Sequence, residues 1–522
     1  MFSVVPAPLH VRFDLGHLLL RAGLRVEGAD ASLAPLVQRF RGDVARRTSL
    51  RTGPAAAPGD PAVRIELVPP SELERLPDPI GVSPLGDRLA DERHSVTIED
   101  GRIVVRAVEA DGVARALTTV LQLLVTADPE AGGALLLPAA RIEDAPRFAW
   151  RGLSLDVAGR YLAERDLRRV IDLLALYKLN VLHLHLTGDR GWRLAAGRPP
   201  GSGEPYGTFY SRAELRELAA YARDRFVTIV PEVGTPGNAA AILRLRPELA
   251  TGRNVVDVEV APGRVRRSAW LDPHLPASFA MVELVLADVA ETFPGPFIDI
   301  GGSEPFGMPR EQFVAFVRHV SACVRSLGRR TVGWQESIRA VADPDHVIQY
   351  WISGAGPLPP SLPPAIAESV ARSPGDVAEA LRRSVPVIVS PVSHAHLDVP
   401  YAEPSADPAQ EALRGRVGRR FYVPMTVAET FAWEPAHALG PRFPADLLAG
   451  VAAALWTDTA ADFADVAFLL LPRLAGAAEK AWSAPGDWAG HRERLARHPR
   501  LWNQDGLTYF RSAVVGWAAA GP

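Results

Sequence analysis

"RGLSLDVAGRYLAERDLRRVIDLLALYKLNVLHLHLTG", residues 151–188, decides the architecture. A short apolar run, RGLSLDV, leads into ERDLRRVIDLLALYK, whose apolar residues recur on a helical period, and a second apolar run, NVLHLHLTG, follows. Two buried strands separated by a helix of that length are parallel neighbours joined by a right-handed crossover. The rhythm continues: FVTIVPEV precedes NAAAILRLRPEL, PFIDIGG precedes REQFVAFVRHVSACVRSLG, and RTVGWQE, HVIQYWIS, VPVIVSPVS and GVAAALWTD follow. Eight strand candidates of this kind predict an α/β fold, a (β/α)8 TIM barrel. A doubly wound sheet is the alternative, but no glycine-rich phosphate loop follows the first strand.

Upstream the pattern differs. AVRIELVPPS (62–71) and HSVTIEDGRIVVRAV (94–108) alternate apolar and polar residues, the second with Asp100-Gly101 as a hairpin signal, and DGVARALTTVLQLLVTA (111–127) is helical. The stretch 128–147 turns rich in Gly, Ala and Pro. The prediction is a smaller α+β domain over 1–145 and a barrel over 146–522, with rim insertions near 251–276 and 401–444.

Composition narrows the function. The 522 residues carry 57 Lys+Arg against 60 Asp+Glu, a formal charge of -3, which marks no nucleic-acid partner. The only lysines are Lys178 and Lys480. Cys323 is the single cysteine, so an intramolecular disulfide and a cysteine-based metal site are excluded; its helical context predicts a core residue. No basic leader precedes an apolar run and no window has the length of a membrane span, so the expectation is a soluble, cytoplasmic protein with no membrane partner. Nothing in the sequence specifies an oligomeric state.

In a barrel, residues just past the strand ends line the site. They are Asp156, His183, His185, Asp189, Glu232, Asn238, Asp299, Glu304, Trp334, Glu336, Trp351, His396, Asp398, Trp456 and Asp458. Carboxylates mixed with tryptophans suit a sugar, because rings stack on a pyranose face while carboxylates grip hydroxyls or move protons. His183 and His185 alternate within one strand, but no third ligand follows at useful spacing, so they read as structural histidines; no metal and no organic cofactor are expected. IDIGGSEPFG (298–307) stands out, with two glycines and a proline fixing a lone glutamate, Glu304, at a strand end.

The motifs FAWRGLSLDVAGRYLAERDLRRVIDLLALYKLNVLHLHLTGDRGWRL, IVPEVGTPGNAAA, WLDPHLPASF, FIDIGGSE, VGWQES, IVSPVSHAHLDVPY and AALWTDT occur in order over about 145–485. Together they resemble glycoside hydrolase family 20, the β-N-acetylhexosaminidases, and the upstream α+β domain resembles the small domain that precedes the barrel there. The resemblance implies a carbohydrate substrate and a retaining mechanism in which the substrate's 2-acetamido oxygen attacks the anomeric carbon. A glutamic acid protonates the leaving oxygen, and Glu304 falls on it; the preceding aspartate orients the acetamide and neutralises the oxazolinium.

Several positions depart from that pattern. Where the family reads HIGGDE the chain reads DIGGSE, putting Ser303 at the polarising aspartate and Asp299 at a histidine. A missing charge about 4 Å from a developing cation is worth up to ~4 kcal/mol at an effective dielectric near 20, roughly a thousandfold in rate. Gly159 replaces the arginine that holds the outer hydroxyls, and Gly188 replaces its aspartate partner; Arg160 and Arg190 lie one or two residues away. Asn238 stands for a histidine, with Gly234 for the aspartate four positions earlier. His396 stands for the tyrosine that binds the acetamide oxygen, with Asp398 two residues on, and Asp458 for a glutamate. Trp334, Trp351, Trp456 and Glu304 are kept. A retained aromatic floor and acid with altered sugar-recognition groups is the pattern of a site recut for another ligand, with Asp299, Asp398 and Asp458 as candidates for a nucleophile or base. The other readings are an ordinary, slower β-N-acetylhexosaminidase, with His396 contacting the acetamide, and a non-catalytic sugar-binding protein.

Overall fold

The computed structural model describes residues 2–28, 30–53, 56–130, 133–199, 208–261, 264–303, 305–340, 343, 345–352 and 364–518. Glu304 lies outside the described residues.

The first unit is a seven-stranded mixed sheet in the order His10–Leu20, Leu135–Asp144, His94–Glu99, Arg102–Ala107, Ala62–Leu67, Gly23–Gly28, Arg51–Thr52. Asp100-Gly101 makes the hairpin turn, with Glu99 paired to Arg102 and Gly101 at φ 76°. Helix Ala110–Thr126 is buried almost all round. It lies between the sheet and the barrel: the Gln122 amide donates 2.7 Å bonds to the carbonyls of Val5 and of Leu176 on the first barrel helix. That double contact accounts for an apolar composition wider than one stripe.

Eight parallel strands close into a barrel: β1 (Trp150–Asp156), β2 (Val181–His185), β3 (Thr228–Thr235), β4 (Phe297–Gly301), β5 (Arg330–Trp334), β6 (Val347–Tyr350), β7 (Val387–Val389) and β8 (Leu448–Leu455). β8 pairs with β1 from Gly450–Trp150 to Leu455–Leu155, so the sheet has no edge and the doubly wound alternative is excluded. Trp150, Val181, Val230, Phe297, Val332, Val347 and Ile388 form an apolar plug inside, with Trp150 edge-on to Phe297 at 5.2 Å. Because side chains alternate along a strand, residues two positions further on point inward one layer higher. There the barrel carries His183, Glu232, Asp299, Trp334 and Gln349, a polar layer under the mouth.

The insertions rise from the same end. Residues 251–276 contain an antiparallel hairpin, Val255–Ala261 with Arg264–Ala269, and 401–444 contains the short helices Glu411–Arg416 and Val427–Phe431. Cys323 packs against the core from a half-buried position on helix Arg310–Ser326, with burial raising its thiol pKa. No helix among the described residues is long and apolar enough to cross a membrane.

Buried ion pairs join the two units. Glu92 receives Arg151 at 2.5 Å and Arg115 at 3.2 Å, while Asp144 receives the Lys178 ammonium at 2.7 Å and the Trp482 indole N–H at 3.0 Å. A cavity of about 390 Å3 opens at this N-terminal end of the barrel, lined by Leu85, Arg88, Arg151, Asn180, Phe226 and Pro296. It is remote from the strand C-termini, where the polar and aromatic residues converge.

Candidate active site

The IDIGGSEPFG stretch leads from β4 into the turn after it. Gly301 and Gly302 both adopt left-handed φ, 73° and 71°. A Cβ on Gly301 would sit 2.7 Å from Gly234 Cα and Thr235 N, and one on Gly302 would sit 2.7 Å from Ser337 Cβ. Only glycine satisfies both demands. The turn is locked by bonds from Gly301 N to Asp299 Oδ1 (2.6 Å), from Gly302 N to the Thr235 carbonyl (2.7 Å) and from Thr235 Oγ1 to the Ile300 carbonyl (2.9 Å). Ser303, half-buried, leaves this turn at the barrel mouth.

Aromatic rings pave the mouth. Trp334 and Trp456 lie 5.5 Å apart between centroids, His396 is 6.4 Å from Trp456, and Trp351 stacks on His396 at 6.3 Å. The Trp334 indole N–H donates to Glu232 at 3.0 Å and that of Trp351 to Glu336 at 3.2 Å, so two of the three tryptophans are oriented by a carboxylate. Burial pushes Glu336 up to about 7. Burial, aided by the Arg419 charge, lowers His396 to about 3 and keeps its ring neutral.

Below them lies the buried cluster His183, His185, Glu232 and Asp299. Glu232 faces His183 Nε2 at 2.9 Å and His185 Nδ1 at 2.8 Å, and Asp299 faces His183 Nε2 at 3.4 Å. Burial opposes charge on every member. It raises Asp299 to about 7, with Glu232 adding to the effect, whereas the two histidines overcome it at Glu232 and hold that carboxylate well below its usual range. Glu232 in turn raises His185 to about 9 against the burial effect. The partners that spacing along β2 does not supply to His183 come from the neighbouring strands β3 and β4.

On the rim, Asp458 is engaged on both oxygens. Arg190 Nε reaches Oδ1 at 3.1 Å, and Arg419 Nη2 bonds Oδ2. Arg419 also lies 3.4 Å from Asp398 and 5.4 Å above the Trp456 ring. Asp398 is fully buried, and burial lifts it to about 7 although Arg419 opposes. Arg190, two residues beyond Gly188, thus reaches Asp458. Arg160 is exposed, and its contribution here is a backbone N–H donated to Thr457 Oγ1 at 2.8 Å. Asp189 caps a loop by accepting from Ala240 N at 3.2 Å. Asn238 is half-buried at φ 54°, a conformation asparagine tolerates.

The glycine at 159 has a structural counterpart. Asp156 folds back to accept from Gly159 N at 2.7 Å, and a Cβ on residue 159 would lie 2.3 Å from Asp156 Oδ2 and 2.9 Å from Thr457 Oγ1. Sequence reading did not single out Arg419, Tyr422, Ser154 or Gln349. The first two come from GRVGRRFYVP in the second insertion, where a run of arginines ending in two aromatics was the available signal; Tyr422 lies edge-on to His396 at 6.4 Å. Ser154 and Gln349 are polar residues on the inward phase of otherwise apolar strands.

A closed eight-stranded barrel with carboxylates and clustered tryptophans at its C-terminal mouth, behind a smaller mixed-sheet domain, has the architecture of a TIM-barrel glycosidase. The comparisons give the family. The catalytic-domain model of glycosyl hydrolase family 20 matches residues 148–485 and its domain 2 model matches 1–145. A β-N-acetylhexosaminidase of Cellulomonas fimi is 34% identical over 448 residues, covering 83% of this chain and 82% of that one. Among solved structures, the family 20 β-N-acetylhexosaminidase of Streptomyces coelicolor A3(2) superimposes with a TM-score of 0.79 at 27% identity, covering 99% of both chains. A mutant Streptomyces plicatus β-hexosaminidase in complex with its product GlcNAc gives 0.79 at 26%, over 99% of this chain and 98% of that one. The chain belongs to glycoside hydrolase family 20, and it is a glycoside hydrolase by that membership.

Proposed function

We propose that this glycosidase cleaves a β-linked sugar with Glu304 as general acid and then general base, in a pocket recut away from the plain N-acetylhexosamine. Glu304 protonates the leaving oxygen as the acyl oxygen of the substrate's own C2 substituent attacks the anomeric carbon. Its carboxylate then takes a proton from the water that opens the cyclic intermediate. Ser303 offers a hydroxyl to the C2 substituent and no charge. Trp334, Trp351 and Trp456 enclose the ring, and His396, neutral, donates an N–H to the acyl oxygen.

The observation that carries the changed specificity is the double engagement of Asp458. A carboxylate bonded by Arg190 and Arg419 has little left to accept from sugar hydroxyls. Two glycines, Gly159 and Gly188, stand where the family grips the outer hydroxyls, and Asp156 occupies the space beside the first. Arginines at that rim favour a substrate with acceptor oxygens there over one with hydroxyl donors alone.

A second reading, an ordinary but slow β-N-acetylhexosaminidase, is favoured by the Cellulomonas fimi relative, which carries that name at 34% identity. The test common to both is Glu304→Gln. Loss of a general acid costs roughly 10^2 to 10^4 in rate, so kcat on any hydrolysed aryl glycoside should fall by that factor with an unchanged circular dichroism spectrum. Undiminished turnover would remove Glu304 from the chemistry, and saccharide binding without turnover in the wild type would make the protein a lectin on a glycosidase scaffold.

A further inference from the structure

We propose that His183, Glu232 and Asp299 form a site for one divalent metal ion, best suited to Zn2+, in the polar layer beneath the catalytic turn. This inference does not depend on the proposed substrate.

Three atoms converge. His183 Nε2 lies 2.9 Å from Glu232 Oε2 and 3.4 Å from Asp299 Oδ2, and one donor atom from each residue falls within 4.8 Å of the others. Bonds of about 2.0–2.1 Å to zinc place neighbouring ligands roughly 2.9–3.4 Å apart, in octahedral or tetrahedral arrangement respectively. Two of the edges of a coordination polyhedron are therefore already formed.

The hydrogen bonding points the same way. His183, Glu232 and Asp299 are 3%, 1% and 0% exposed, yet His183 Nε2, Glu232 Oε2 and Asp299 Oδ2 make no directed hydrogen bond among the described residues. They face one another at contact distance but off the N–H···O direction. Buried polar atoms in that state call for an unassigned partner. The companion atom of each residue is held by other groups. Glu232 Oε1 accepts from Trp334 Nε1 at 3.0 Å, Asp299 Oδ1 accepts from Gly301 N at 2.6 Å, and His183 Nδ1 lies 2.9 Å from Ser154 Oγ and 3.3 Å from Gln349 Oε1. With those oxygens as acceptors, Nδ1 carries the ring proton and Nε2 keeps its lone pair. Outer contacts that fix the tautomer and aim the ligating atoms are what metal sites use.

Charge closes the argument. When both are ionised, Glu232 and Asp299 place two negative charges around His183, only one of which the His185 imidazolium against Glu232 Oε1 offsets, so the layer still favours a cation between the three atoms. The competing occupant is a proton, with His183 as imidazolium between the carboxylates. One imidazole and two carboxylates are zinc ligands, with a fourth position left for water. Bound there, the ion ties β2, β3 and β4 together and anchors Asp299, four residues before Ser303.

The test uses zinc alone, without substrate, so its outcome is independent of hydrolysis. The full chain, stripped with chelator and refilled, should retain about one Zn2+ per chain by elemental analysis, and Asp299→Asn and His183→Gln should each bind at least about a hundredfold more weakly. Equal retention by wild type and both folded variants, or none by the wild type, overturns the proposal and leaves the proton as occupant. A readout that needs no variant is the Co2+-loaded wild type. Visible bands of low-coordinate cobalt support the site; the spectrum of the free aqua ion overturns it.

Discussion

At the scale of single residues, the proposed function turns on the serine at 303. If the retained groups still seat a 2-acetamido sugar, restoring the charge with Ser303→Asp should raise kcat on aryl N-acetyl-β-glucosaminides by up to about a thousandfold, following the Coulomb estimate. The same variant should leave glycosides without an acetamido group unaffected. Equal effects on both would show that residue 303 does not face the C2 substituent. Asp398 supplies a pH prediction. Burial raises its folded pKa from 3.8 to about 7, so between those values the native state binds more protons than the unfolded state. Stability therefore falls as pH rises from about 4 to 7, by on the order of 4 kcal/mol from this group. Denaturant melts across that range should show the fall in wild type and a flatter profile in Asp398→Asn; the same slope in both would contradict it.

At the scale of elements, the β4 turn shows how sequence became geometry. The paired glycines and the proline of IDIGGSEPFG were legible as a tight turn, and the left-handed φ values at Gly301 and Gly302 are the reason. Gly301→Ala forces a Cβ to within 2.7 Å of backbone atoms that have no freedom to move. It should cost about 2–5 kcal/mol, combining left-handed strain with overpacking, measurable as a lower denaturation midpoint. The rule that residues at the C-terminal ends of barrel strands line the site likewise singled out His183, Glu232, Asp299 and Trp334 in the sequence. Two features were not legible. Which inward residues touch depends on which strands are neighbours in the closed barrel, so the pairing of His183 with Glu232 and Asp299 has no signature along one strand. The contacts of Arg190 and Arg419 with Asp458 depend on how long insertions fold over the mouth, and no periodicity encodes that.

At the scale of the whole molecule, buried charge couples the two units. Lys178 is one of only two lysines in the chain, fully buried beside Asp144, with burial lowering its pKa. Asp144→Ala leaves that ammonium without its partner and should cost about 3–5 kcal/mol. Removing both charges in Asp144→Ala/Lys178→Met should recover much of the loss, because no orphaned charge remains. A double variant as unstable as the single would show that packing around Trp482, not the ion pair, sets the cost.

The most direct measurement of pocket specificity is kcat/KM of the wild-type protein across aryl β-glycosides of GlcNAc, GalNAc, their uronic-acid and sulfated forms, which keep the C2 acetamido group, and glucose and galactose, which lack it. A recut pocket predicts a best substrate other than the simple N-acetylhexosaminides, with turnover lowered by roughly 10^2 to 10^4 in Glu304→Gln. Preference for GlcNAc or GalNAc by a wide margin would contradict the changed specificity and return the protein to the ordinary activity of its family.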